Sequence, residues 1–520
     1  MESVRKIIHG SSLRVVGLGV TILVGFFIMP FLVHHLGDQL YGYWALIGSI
    51  LGYYGILDLG VTSAVQFYVA KALGEKDLEA ANRAISTSFF AFGVLGSIIL
   101  VVTFLLAFLS HLFVHDAAQA ALFRNVLLIM GIGAAIGFPG RAFLGALSAH
   151  LRWDLISIIG LSTLLLRTAI IVAAIEAGGG LVALALAAVV TDVLGCVCYY
   201  LVLRRIQHPV HVSAAYATLS ALKGIVRYSA FTFIVKISDQ LRFYIDVWVV
   251  GAFLSVSVVT HYAISSRLAM SFMDVMIALI GLLNPWFTLL LGSKDYGGIR
   301  RVLKFGTKVS VSFATIIALL LIVYGREFIH GWMGANYVDA YWPLAILVAG
   351  IFCDVAQQPS VAYLFGSSLN RFLAQITLFE AIANVILSLY WVRIYGMAGV
   401  ALGTAVPMLL VKLFVQPVYV CRKSEISLWE YYVGLFGRSA LAGAIGVIVP
   451  WLILFRWASG SSLFVITPLI VVQALIAIVA AYFLAFDSAE RSQINRGLLS
   501  ALRIQAPAVT PEAARVEPLS

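Results

Sequence analysis

Charge is scarce in this chain. Of 520 residues, 11% are charged and 62% hydrophobic, whereas an ordinary soluble domain carries about 25% charge. A water-soluble globule is therefore excluded, because one core cannot hide that much apolar surface from water. Cysteine is scarce too. Cys196, Cys198, Cys353 and Cys421 all lie in or beside apolar segments, and Cys196-Val197-Cys198 has the spacing of neither a redox pair nor a zinc knuckle. A disulfide framework is excluded, and no cofactor or metal is expected. The G-x-x-x-x-G-K-[ST] loop is missing, which excludes nucleotide hydrolysis by that route. No external loop exceeds about 20 residues, so no soluble domain is inserted and any chemistry takes place within the membrane. A net charge of +10 would suit a nucleic-acid partner, but the basic residues are scattered through short loops instead of forming one patch. Nucleic acid is not expected as a partner.

What the chain has is apolar runs of membrane-spanning length, recurring from Leu13 to Phe486. Each of roughly 20 residues crosses about 30 Å of hydrocarbon as a helix, the form that satisfies its own backbone in lipid. The pattern predicts an all-α polytopic membrane protein with about fourteen spans, at 13–34, 43–70, 85–109, 126–149, 155–175, 181–203, 228–252, 258–290, 305–325, 341–365, 373–395, 397–420, 439–455 and 463–486. The first run is longer than a signal-peptide core and lacks a small-x-small cleavage site, so it reads as a retained helix. With a cytoplasmic N-terminus, the cytoplasmic segments hold 24 Lys and Arg and the opposite side 4. That asymmetry places both termini inside. Reporter fusions after Lys76, Lys294 and Lys423 are therefore expected to report cytoplasm, and fusions near Gly179 and Gly334 the far side. One inversion among the five breaks the count of fourteen.

The two halves echo each other. Gly179-Gly180-Leu181-Val182-Ala183-Leu184-Ala185 resembles Met397-Ala398-Gly399-Val400-Ala401-Leu402-Gly403, and Leu203-Arg204-Arg205 resembles Cys421-Arg422-Lys423. Pro139 with Ala142-Phe143-Leu144 resembles Pro359 with Ala362-Tyr363-Leu364. Three echoes in register predict a duplicated six-helix unit, its copies related by an axis along the membrane normal and the substrate path between them. The expected organisation is an N-terminal six-helix lobe over 1–205 and a C-terminal one over 206–423. Two extra helices over 424–486 and a cytoplasmic, partly disordered tail over 487–520 follow; within the tail, 489–504 reads as an interfacial helix.

The stretch Pro30-Phe31-Leu32-Val33-His34-His35-Leu36-Gly37-Asp38-Gln39-Leu40-Tyr41-Gly42-Tyr43-Trp44, then Leu57-Asp58-Leu59-Gly60 and the loop Gly74–Arg83, resembles polysaccharide-export flippases. These are the O-antigen and capsule (Wzx-like) members of the multidrug/oligosaccharidyl-lipid/polysaccharide export superfamily. Asp246-Val247-Trp248-Val249-Val250-Gly251 with Tyr262-Ala263, and Trp332-Met333-Gly334 with Tyr337, are similar to that family's second-lobe signatures. The resemblance implies a two-lobed, V-shaped fold in the bacterial cytoplasmic (inner) membrane. It implies alternating access around a cationic cavity, with a lipid-linked oligosaccharide on undecaprenyl pyrophosphate as substrate. It also implies membrane lipids as surroundings, a proton or sodium counter-ion, and polymerase and chain-length proteins as partners.

Thirteen charges fall inside the spans: Arg141, Arg167, Lys236, Arg242, Arg267 and Lys412 with Asp58, Asp192, Asp239, Asp246, Asp274, Asp354 and Glu380. At about 3 kcal/mol each, placing them all against lipid would cost roughly 40 kcal/mol, so they must face one another or a watery cavity. Lys236, Asp239, Arg242 and Asp246 share one helix face with alternating sign, which reads as self-neutralising pairs or a cavity wall. Arg141, Arg167 and Arg267 have no carboxylate three or four residues away, leaving them for an interhelical acid or an anionic ligand. A guanidinium can hold two phosphate oxygens at once. Arg14, at the mouth of helix 1, either receives the headgroup or snorkels to the interface. The expected substrate-binding set is thus Arg14, Arg141, Arg167, Arg267, Lys236, Arg242 and Lys412. Asp58 and Asp239 are the ion-coupling candidates, each with a structural hydrogen bond as the plain alternative. No catalytic residue is expected. Two other readings stay open: a multidrug or peptidoglycan-precursor exporter of the same superfamily, and a membrane-embedded polysaccharide polymerase or ligase. For the latter, the longest external segment, Ser110–Asn125, offers only His111, His115, Asp116 and Arg124.

Overall fold

The computed structural model describes residues 2–112, 114, 116–206, 212–218, 222, 237, 240–280, 287, 290, 295–367, 369–458, 463–492 and 494–495; the side chains of residues 2–15 are not among the described ones. Among the described residues all regular structure is helical. The first half holds α1 (Glu2–Tyr54), α2 (Val61–Gly74), α3 (Leu78–Phe108), α4 (Ala117–Gly137), α5 (Arg141–Ala149), α6 (Trp153–Glu176) and α7 (Leu181–Ile206). The second holds α8 (residues 240–253), α9 (Val256–Ile280), α10 (Tyr296–Met333), α11 (Tyr341–Ala356), α12 (Gln358–Gly366), α13 (Asn370–Leu410), α14 (Gln416–Ser424), α15 (Arg438–Ala458) and α16 (Leu463–Leu484).

Among the described residues, eleven stretches are long and apolar enough to cross a membrane. Two of them, of 59 and 54 residues, are far longer than about 20 residues, and each is broken at a glycine outside helical geometry. Gly37 has φ 78° and Gly396 φ 57°. At Gly396 the chain doubles back: Ser388 Oγ donates to the Val400 carbonyl at 3.2 Å, and a Cβ at Gly403 would overlap Ser388. The Gly399-x-x-x-Gly403 pair is therefore close packing within one helical hairpin.

The expected continuous span 43–70 is interrupted. A single 3₁₀ turn, Gly55–Asp58, leads into Leu59 at φ 51° and Gly60 at φ 77°, and α2 begins at Val61. Such backbone suits glycine and costs a leucine. The restarted helix has unpaired N–H groups at its first turn, and Asp58 takes one of them, accepting from the Thr62 N–H and hydroxyl, both at 3.0 Å.

Prolines divide the other helices. Pro139 sits in the 3₁₀ turn that separates α4 from α5, and Pro359 in the first turn of α12. Pro139 precedes a nine-residue helix and Pro359 stands in the first turn of another, so each proline of the echo lies at the start of a short helix. Pro417 lacks the N–H that would bond the Leu413 carbonyl, and the Tyr432 hydroxyl donates there instead. The preceding turn, Val411–Val415, is a π-helix that carries Lys412 inward.

Helices up to α7 pack largely on one another, as do those from α9 onward, with α15 and α16 against α10. Between the halves, α1 is the seam. It lies along α9, and a Cβ at Gly42 would overlap the Val256 carbonyl, one at Gly52 the Tyr244 ring. Helix is also found at 488–492 and 494–495; residues 493 and 496–504 of the expected interfacial helix and the tail 506–520 lie outside the described residues.

Candidate functional site

Where the two halves meet, α1 and α5 face α8, α9, α11, α12 and α13 across a cavity of about 1020 Å³. Four cations line it, Arg141, Arg242, Arg267 and Lys412, against two carboxylates, Asp274 and Asp354. The rest of the wall is apolar or uncharged, including Tyr41, Phe243, Tyr244, Met270, Met273, Gln240 and Gln358.

The four cations differ in what already holds them. Arg242 and Lys412 belong to a buried four-charge cluster. Arg242 Nη1 lies 2.8 Å from Glu380 Oε2 and 3.8 Å from Asp354 Oδ1; Lys412 Nζ lies 3.0 Å from Asp354 Oδ1 and 3.6 Å from Glu380 Oε1. Two cations and two acids neutralise one another, which is what allows side chains only 0–6% exposed to remain charged in low dielectric. Arg242 of α8 thus reaches acids of α11 and α13. Asp246, one turn further, is buried separately, accepting from the Tyr262 hydroxyl at 2.7 Å and from Thr404 Oγ1 at 2.6 Å. Its Oδ1 carries no hydrogen bond among the described residues.

Arg141 is half-committed. Its Nη1 lies 3.5 Å from Asp58 Oδ2, its guanidinium stacks 4.4 Å over the Phe138 ring, and the side chain remains 36% exposed to the cavity. The partner its own helix lacks is supplied by the broken turn before α2. Arg267 is the open one. Among the described residues it makes no ion pair or hydrogen bond, and its guanidinium lies against α1 at Gly25, where a Cβ would overlap it. Asp274, seven residues along α9 and so on the same face, shares the cavity.

Arg167 is not in this cavity. It ion-pairs with Asp192 and its Nε donates to Thr191 Oγ1 at 3.0 Å, beside a smaller pocket of about 390 Å³ between α1 and α6. Lys236 and Asp239 lie outside the described residues, as does the side chain of Arg14. The structure adds participants that spacing along the chain did not single out as site residues: Asp354, Glu380, Asp274, Gly25 and Tyr244. A neutrality count of the intramembrane charges could have matched Asp354 and Glu380 to Arg242 and Lys412; nothing in the sequence marks Gly25. Among the described residues no group of His, Cys, Asp and Glu is arranged to hold a metal ion.

The MatE family model matches residues 19–173. No curated protein matches the chain by sequence. Several solved structures share its fold. "Lipid II flippase MurJ, inward closed conformation" superposes with a TM-score of 0.70 at 14% identity, covering 93% of this chain and 99% of that one. An inward-facing multidrug resistance MATE family transporter of the MOP superfamily gives 0.65 at 14%, covering 78% and 94%. A MOP superfamily transporter from Pyrococcus furiosus, described as having a binding pocket of reverse polarity, gives 0.62 at 14%, covering 81% and 95%. The chain has the multi-pass, all-helical fold of MOP superfamily transporters, and the proteins it resembles are transporters and a flippase.

Proposed function

We propose that this chain is a flippase that carries an undecaprenyl-pyrophosphate-linked oligosaccharide across the bacterial inner membrane for surface polysaccharide assembly, by alternating access between its two halves. The observation that carries this reading is the cation-lined cavity at the seam of the halves, with one guanidinium, Arg267, that makes no ion pair or hydrogen bond among the described residues and has Asp274 as its electrostatic neighbour. A pyrophosphate brings at least two negative charges into a low-dielectric interior, and a planar guanidinium meets two of its oxygens at once. The uncharged, partly aromatic remainder of the wall suits hydroxyl-rich, charge-poor sugars. Such a lining disfavours a cationic drug as cargo. For a coupling ion, Asp58 is already engaged by Arg141, so Asp246, with one oxygen unbonded among the described residues, is the better-placed carboxylate.

In a clean deletion, surface polysaccharide is expected to stop while the lipid-linked repeat unit accumulates on the cytoplasmic leaflet. Normal polymerised glycan outside the cell, in a strain without a paralogue, overturns the proposal. A second reading, translocation of a peptidoglycan precursor, is favoured by the near-complete overlap with the lipid II flippase. Lysis on depletion, with surface polysaccharide assembly intact, would select it.

A further inference from the structure

On the face opposite the basic loops, a second polar cluster joins the halves. Asp38 follows directly on the break at Gly37, and its backbone carbonyl accepts from Thr260 Oγ1 of α9 at 2.6 Å. Its carboxylate accepts from the Tyr337 hydroxyl at 2.6 Å. Between them sits His261. Its Nδ1 lies 2.7 Å from Asp339 Oδ1, its Nε2 3.8 Å from Asp38 Oδ2, and its ring 5.0 Å from that of Tyr337. The first half holds its end rigidly, since Gln39 and Tyr43 both donate to Gln119 of α4 at 2.6 Å. Further along α1, Trp332 Nε1 donates to the Phe26 carbonyl at 2.8 Å.

Both imidazole nitrogens therefore face carboxylates. A neutral imidazole has one N–H, which can satisfy one of the two acids and leaves a lone pair turned towards the other. A protonated imidazole has two N–H groups, and both contacts become charge-assisted. The groups acting on His261 are Asp38 from α1, Asp339 and Tyr337 from the turn after α10, and, on α9 itself, Ser265, whose hydroxyl donates to the His261 carbonyl at 3.3 Å. At 16% exposure for His261 and 53% for Asp339, a proton from water on that face can reach the ring.

We infer that His261 is a proton-binding site that clasps the two halves shut on the face opposite the basic loops, so that proton uptake there favours closure and proton loss favours opening. The step is a simple balance: one proton passes from water to a ring nitrogen, and one cross-half ion pair, to Asp38, forms. The inference rests on the alternating-access reading and supplies its reset: after cargo leaves outward, protonation of the empty carrier closes that face.

The test is a distance measurement between spin labels on the full-length protein in nanodiscs, at Ala177→Cys and Tyr395→Cys, both exposed positions on that face, with the four native cysteines replaced. Between about pH 5 and 8, where histidine titrates, the closed-to-open ratio is expected to fall about tenfold as pH rises, the effect of one pH unit of linkage. His261→Gln should flatten that response. Tyr337→Phe, which keeps the titrating ring, should shift the ratio towards open yet retain the pH response, and it serves if the glutamine variant does not fold. A wild-type ratio independent of pH, or an unchanged response in His261→Gln, overturns the inference. No cargo is involved, so either outcome leaves the flippase assignment to be judged by the deletion strain.

Discussion

Replacing Arg267 with alanine is expected to lower flipping of lipid-linked oligosaccharide in proteoliposomes by about ten- to a hundredfold, corresponding to roughly 1.5–3 kcal/mol of charge-assisted contact, with near-normal abundance in the membrane. Abundance holds because Arg267 neutralises no buried acid by direct contact among the described residues; Asp274 shares its cavity at a distance of two helical turns. Lysine should restore part of the rate, since it keeps the charge and loses the planar fork. A second variant reaches the same group without touching it. Gly25→Ala places a Cβ where the guanidinium lies, so it should depress flipping by displacing Arg267 while all charges remain. Arg141 and Arg167 make the contrasting case. Each has an interhelical carboxylate, Asp58 and Asp192, so alanine at either leaves an acid uncompensated, and Arg141→Ala with Asp58→Asn, or Arg167→Ala with Asp192→Asn, should recover stability lost in the single variant. Wild-type flipping by both Arg267→Ala and Gly25→Ala would mean that the headgroup is held elsewhere.

The largest effect on stability is expected at Lys412. Removing its charge with Lys412→Met takes from Asp354 and Glu380 one of the two cations that pair with them among the described residues, and breaking a buried pair in this way costs about 3–5 kcal/mol. The readout is thermal unfolding of the purified protein in detergent, together with the fraction inserted in the membrane. Adding Glu380→Gln to Lys412→Met restores neutrality and should recover much of the loss, because the penalty comes from the uncompensated charge rather than from a missing attraction. A single variant as stable as wild type, or a double variant no better than the single, would show that water or ions already screen the cluster.

Hydropathy alone was enough to predict helices crossing a membrane, because lipid demands that each apolar run satisfy its own backbone. The cost of an intramembrane charge was enough to predict that Arg141, Arg242, Arg267 and Lys412 face inward. Helix breaks at Pro139 and Pro359 were legible because proline fixes its own φ and lacks an N–H wherever it stands.

Which cation pairs with which acid was not legible. Arg242 could have bonded Asp246 one turn away, and instead it reaches Glu380 from α13, 138 residues on, while Asp246 is taken by Tyr262 and Thr404. The interruption of the second span at Gly55–Asp58 was hidden because hydropathy does not register a change of φ. It is that turn which delivers Asp58 to Arg141 and so separates the committed arginine from the uncommitted one. Composition and periodicity determine which residues must avoid lipid. Only the packing of distant helices decides which of those residues neutralise each other and which remain available to a ligand, because electrostatic energy depends on distance in space and the fold brings together groups far apart in the sequence.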